Sequence, residues 1–207
     1  MSSVIEPKEN GPYLVKNLQS LKDSNGADIL PDKKIVALCR CGKSNNKPFC
    51  DGTHTKIGFS SVTDSPTTGK WQDYVGRHIT IHDNRHLCAH AGNCTHGLAS
   101  VWRMGKKPWI EPDGAGVEAI IAVIEQCPSG ALGYSTDGKH IDQGVVAEGI
   151  GVSKNGPYHV TGEITLKDPS RGSDDVPGRY ALCRCGASKN KPFCDGAHWE
   201  IKFEDDD

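Results

Sequence analysis

At 207 residues and a net charge of −2, the chain has no basic excess to bind nucleic acid and no apolar run long enough to span a bilayer. With 24 glycines, 12 prolines and only 36% hydrophobic residues, it suits short strands, turns and loops better than a helix bundle. Nine cysteines, an odd number, exclude a full disulfide framework. Met1-Ser2-Ser3-Val4-Ile5-Glu6-Pro7-Lys8 lacks the charged and apolar regions of a secretory signal. The expectation is a soluble, cytoplasmic protein whose thiols stay reduced for metal.

The length allows one or two ordinary domains, but an internal repeat divides it into 1–60, 61–147 and 148–207. Each piece buries little apolar surface alone, and small domains usually need a metal or a partner. The first repeat opens with Asn10-Gly11-Pro12-Tyr13-Leu14-Val15 and the second with Asn155-Gly156-Pro157-Tyr158-His159-Val160. Gly-Pro before an aromatic and β-branched run predicts a turn feeding a strand. Tyr13, Val15 and Leu18, then Ile35 to Leu38, are the first unit's strand positions. Tyr158, Val160, Ile164 and Leu166, then Tyr180 to Leu182, are their counterparts. Polar turns lie between, at Asp23-Ser24-Asn25-Gly26 and Asp168-Pro169-Ser170-Arg171-Gly172.

Each strand pair leads into a metal-type motif. Cys39, Cys41, Cys50 and His54 recur as Cys183, Cys185, Cys194 and His198, within stretches that differ at three of sixteen positions. Thiolate and imidazole are donors for soft or borderline metals. Zinc knuckles space their ligands as C-x2-4-C or H-x3-5-H. Here a tighter C-x-C is followed by C-x3-H, which favours two irons, each with one pair of donors. One imidazole among the thiolates raises the reduction potential and makes it depend on pH. Asp51 and Asp195 follow the third Cys, placed to cap a short helix. Gly52 and Gly196 allow the backbone to approach sulfur. Pro48 and Pro192 stiffen the return. Ser44 and Ser188 are candidates to donate hydrogen bonds to sulfide or thiolate.

Residues 61–70 are small and polar and read as a linker. Beyond it, the alternation from Tyr74 to Asp83 predicts a strand. Cys88-Ala89-His90-Ala91-Gly92-Asn93-Cys94 reads as a loop entering a short helix. Val117, Ile120, Ile121 and Ile124 predict an amphipathic helix, entered near Asp113-Gly114 and ended by Cys127-Pro128. Ala131 to Tyr134 reads as a returning strand. Trp71, Trp102 and Trp109 belong to a core, a cluster shield or a partner patch. The acidic tail Glu204-Asp205-Asp206-Asp207 reads as a frayed, solvated end.

Both sixteen-residue stretches resemble the CDGSH iron–sulfur family, whose pattern C-x-C-x2-[S/T]-x3-P-x-C-D-G-[S/A/T]-H is met throughout in each copy. The resemblance implies a [2Fe–2S] cluster on three Cys and one His per copy. It also implies β-rich units that pair by a two-fold, here inside one chain. Cys88, Cys94 and Cys127-Pro128 resemble part of a ferredoxin motif and the divergent mono-cluster domains found beside CDGSH units. That implies a [3Fe–4S] cluster, or a [4Fe–4S] cluster whose fourth iron takes water or a histidine. His90 is the first candidate, then His86 and His96.

The expected fold is α+β: two β-rich CDGSH units in an intramolecular pseudo-two-fold pair, with a small ferredoxin-like unit between them. The expected function is one-electron relay with a redox partner protein. The alternative is a cluster donor to an apo-acceptor protein, or a redox and pH sensor with labile His-ligated clusters. No nucleophile–base pair, nucleotide loop or paired catalytic carboxylate is recognisable, so no enzymatic activity is expected. A monomer with neither nucleic-acid nor membrane partners completes the expectation.

Overall fold

The computed structural model describes residues 2–63, 69–136, 139–141, 146–168 and 178–205. Part of the linker (64–68), turn residues 169–172 and tail residues 206–207 lie outside the described residues. The molecule is mixed α+β, rich in strands and poor in helix.

The first unit supplies β1 (Val4–Pro7), β2 (Tyr13–Lys16), β3 (Leu21–Lys22) and β4 (Ile35–Leu38). The second supplies β9 (Gly149–Val152), β10 (Tyr158–Thr161), β11 (Thr165–Leu166) and β12 (Arg179–Leu182). Alternation decides the faces: Tyr13 and Val15 point inward, while Leu14 and Lys16 are only partly covered. The turn before β2 is closed by Lys8 N–H on Pro12 O at 2.9 Å, as Gly-Pro predicts.

Each unit's sheet is completed by a strand from the other. One sheet runs β11-β1-β2-β4 and the second β12-β10-β9-β3. Val4 and Ile5 pair in parallel with Thr165 and Leu166, and Leu21 and Lys22 pair in parallel with Ile150 and Gly151. Ile5, Tyr13, Val15, Leu21 and Leu38 share a single core with Ile150, Tyr158, Val160, Tyr180 and Phe193.

The middle unit forms a third sheet, β5-β6-β7-β8. Its strands are β5 (Gln72–Val75), β6 (Thr80–Asp83), β7 (Leu132–Thr136) and β8 (Lys139–Ile141). The expected single strand from Tyr74 to Asp83 is a hairpin instead. Gly76 N–H bonds to Ile79 O at 2.9 Å, and a Cβ at Gly76 would come within 2.7 Å of Pro112. Helix α3 (Val117–Ile124) buries Ile120, Val123 and Ile124 against the sheet, with Trp102 fully enclosed beside them. Trp71 is exposed, so it takes no part in that core.

The acidic tail is not frayed at Asp205. That carboxylate is 6% exposed, accepts from the Asn155 backbone N–H, and forms an ion pair with the buried Arg184. No helix among the described residues is long and apolar enough to cross a membrane.

Candidate metal centres

The expected outer donors come together in pairs. Cys39 and Cys41, just beyond β4, hold their sulfurs 3.9 Å apart; Cys183 and Cys185, just beyond β12, hold theirs 3.8 Å apart. Short helices α1 (Thr53–Lys56) and α4 (Ala197–Glu200) carry the histidines. Their Nδ1 atoms face sulfur: His54 lies 3.3 Å from Cys50 Sγ, and His198 lies 3.4 Å from Cys194 Sγ. Among the described residues, no three Cys, His, Asp or Glu converge as a single ion requires.

Loop hydrogen bonds set this geometry. Asp51 Oδ1 accepts from Thr53 N–H at 2.9 Å, and its Oδ2 accepts from Asn45 N–H at 2.9 Å. Asp195 repeats both contacts with Ala197 and Lys189. The aspartates thus tie the start of each helix to the Cys-x-Cys loop, and these bonds hold the Asp51 carboxyl well below the usual range. Gly52 and Gly196 adopt left-handed backbone, φ +87° and +86°, and direct N–H groups at Cys50 and Cys194 sulfur from 3.4 and 3.5 Å. Ser44 and Ser188 depart from expectation. Their hydroxyls donate to the Phe49 and Phe193 carbonyls at 2.6 and 2.7 Å and accept from Asn46 and Asn190 N–H. They lock the loop and are spent before they can serve sulfur.

Each unit also buttresses the other's Cys loop. The Tyr13 hydroxyl lies 2.9 Å from Cys183 O and 3.0 Å from Pro192 O; Tyr158 stands at the same distances from Cys39 O and Pro48 O. The two rings meet edge-on, with centroids 6.1 Å apart. A Cβ at Gly42 would fall 2.5 Å from Cys185 O, and one at Gly186 would fall 2.7 Å from Cys41 O. The sequence placed these tyrosines in strands but gave no sign of their contact with the opposite Cys loop, although Gly-Pro-Tyr recurs in both repeats.

In the middle unit, Cys88, Cys94 and Cys127 line one cavity of about 370 Å³, part of it open to solvent. Cys94 sits on α2 (Asn93–Gly97). Of the candidate histidines only His90 lines the cavity; His86 and His96 do not. Arg85, missed at the sequence level, donates to Cys88 Sγ at 3.5 Å and lies over the Trp109 ring at 4.8 Å. Asp83 also lines the cavity, 1% exposed, and neither of its oxygens has a hydrogen-bond partner among the described residues.

Comparison with known proteins agrees with this layout. The family described as "Iron-binding zinc finger CDGSH type" matches residues 10–55 and 155–199. "Divergent 4Fe-4S mono-cluster" matches residues 74–137. The chain belongs to the CDGSH iron–sulfur family. Two CDGSH units flank a divergent 4Fe–4S mono-cluster unit, as the motifs implied. "Uncharacterized protein YjdI" of Escherichia coli, in strains K12 and O157:H7, is 41% identical over 66 residues, 32% of this chain and 87% of the relative.

The CDGSH donor set fits iron chemically. Burial pushes the Cys41 thiol up to about 11 and the Cys194 thiol up to about 12. In the mono-cluster unit, burial and the neighbouring Cys88 and Cys127 push Cys94 up to about 11. Such sulfurs become thiolates at neutral pH only against a cation, and binding releases their protons.

Proposed function

We propose that this CDGSH protein is a one-electron carrier with three iron–sulfur centres and no enzymatic activity. Cys39, Cys41, Cys50 and His54 would hold one [2Fe–2S] cluster, and Cys183, Cys185, Cys194 and His198 a second. Cys88, Cys94 and Cys127 would hold a [3Fe–4S] or [4Fe–4S] cluster, with His90 the histidine candidate for a fourth iron. Bound clusters supply reversible one-electron oxidation and reduction.

The observation that carries the reading is the pairing of donors, Cys with Cys at 3.9 and 3.8 Å and Cys with His at 3.3 and 3.4 Å. Zinc needs four donors about one point, whereas two irons need two each. The chain's own groups then adjust the centres. Gly52 and Gly196 N–H groups stabilise charge on sulfur, and Arg85 does so at Cys88. The reciprocal strands and tyrosines support a pseudo-two-fold pair of CDGSH units, with a ferredoxin-like unit between them at about 61–147. The free thiols support a reducing, cytoplasmic setting, and the relay reading calls for a protein redox partner.

Anaerobic purification followed by iron and sulfide analysis and EPR tests this. Iron and acid-labile sulfide in excess of four atoms each, with two-iron signals and a separate cubane-type signal, are expected. Stoichiometric zinc without sulfide refutes the proposal. The alternative, cluster donation or sensing, draws on the partial exposure of Cys50 and His54. Transfer of iron and sulfide to an apo-ferredoxin would favour it over relay.

A further inference from the structure

The two CDGSH sites share a motif but not their surroundings. At the second site Cys194 is 2% exposed and His198 5% exposed. The mono-cluster unit covers this side. Ala89 is buried with Ala181 and Cys194, Asn190 Nδ2 donates to His86 O, and a Cβ at Gly196 would meet the His90 side chain at 3.1 Å. At the first site Cys50 and His54 are partly exposed, Asp51 is exposed, and a Cβ at Gly52 would meet nothing within 4 Å.

Charge separates the sites in the same direction. Lys43 and Lys56, both exposed, bracket the first site two residues beyond Cys41 and His54. Ala187 and Glu200 stand there in the second copy; Lys189 in place of Asn45 and Lys202 in place of Gly58 return two charges, which still leaves that stretch less positive. Arg184 is neutralised by Asp205, while Ser61 stands opposite Asn10 where Asp205 stands opposite Asn155, so among the described residues Arg40 has no carboxylate partner. Residues 1–60 carry nine Lys and Arg against six Asp and Glu; residues 148–207 carry eight against eleven.

We propose that the open Cys50–His54 edge, with Lys43 and Lys56 at its rim, is the docking face for an acidic redox protein. The second site faces inward onto the mono-cluster unit. This rests on the relay reading, and makes the first CDGSH unit the port between the chain and its partner. Rim lysines around an exposed centre steer an acidic partner into contact, and the effect weakens with salt.

The test uses anaerobic holoprotein and, as probe, an acidic plant-type two-iron ferredoxin. Stopped-flow reduction by the reduced ferredoxin is followed against ionic strength, and calorimetry gives the Kd for the oxidised form. K43A/K56E is compared with K106E/K107A, which makes the same charge change on exposed residues of the middle unit. The expected result is an on-rate and affinity about tenfold lower at low salt for K43A/K56E alone, with a flatter salt dependence. Its visible spectrum and dithionite-reduced EPR signals should match the wild type. Equal effects from both double variants, or none from either, overturn the docking face. Wild-type centres that neither ferredoxin nor dithionite reduces overturn the relay reading instead.

Discussion

At the scale of residues, the least comfortable side chain is Asp83. Burial pushes its carboxyl up to about 6, against the opposing pull of Arg85 and Trp109. Because the folded-state value lies above the unfolded one, the folded chain binds this proton more tightly. Stability is therefore fullest below about pH 4, declines as pH rises to about 6, and stays at the lower level beyond. A shift of two units corresponds to roughly 3 kcal/mol. In Asp83→Asn this contribution is absent, so the wild-type stability minus that of the variant should fall by about 2–3 kcal/mol between pH 4 and pH 7 in anaerobic denaturant titrations. A constant difference would mean that the Asp83 carboxyl ionises in the pocket as readily as in the unfolded chain. Arg40 makes the complementary case. Among the described residues its Nε is buried without a partner, whereas Arg184 has Asp205. Ser61→Asp restores the missing carboxylate, and we expect a gain of about 1 kcal/mol, read as a rise in Tm. No rise would show that the backbone and ring contacts of Arg40 already suffice.

At the scale of elements, the paired Cys loops are set by glycines that sequence inspection passes over. Gly42 combines φ +75° with a Cβ position 2.5 Å from Cys185 O. Gly26 has φ +84° and open space around it. Gly42→Ala should therefore cost about 3 kcal/mol or more, and Gly26→Ala about 1 kcal/mol, since only the former adds a backbone collision to conformational strain. Equal Tm losses would mean that the loops separate readily. The same contrast explains what was legible. Donor spacing is local chemistry, so Cys39, Cys41, Cys50, His54 and their copies could be read directly. Strand β2 and helix α3 announced themselves by period. Strands β1 and β9 did not, because Gly149-Ile150-Gly151-Val152 has no alternation to detect and Val4–Pro7 gains its place only by pairing. The two-residue strands β3 and β11 depend on partners in the other repeat. Ser44 misled because its hydroxyl has a carbonyl within its own loop, a competition that residue type does not reveal.

At the scale of the molecule, the repeats are not two independent domains joined by a spacer. Tyr13 and Tyr158, both fully buried in the common core, each satisfy carbonyls of the opposite unit. Residues 1–60 alone would expose Ile5, Val15 and Leu21 and leave the β1 edge and strand β3 unpaired. The repeats resemble each other at these positions, so a second copy of the fragment can replace residues 148–207, with β1 of one copy pairing with β3 of the other. The expected behaviour of fragment 1–60 is therefore dissociation-coupled unfolding. Its circular dichroism and cluster absorbance should be lost together on dilution, while the full chain keeps both at every concentration. Tyr13→Phe in the fragment removes the hydroxyl from both subunits of such a dimer and should weaken it more than the same change destabilises the full chain, where one tyrosine remains. A fragment that stays folded and monomeric on dilution would show that the shared core is dispensable, and that each CDGSH unit stands by its own metal centre.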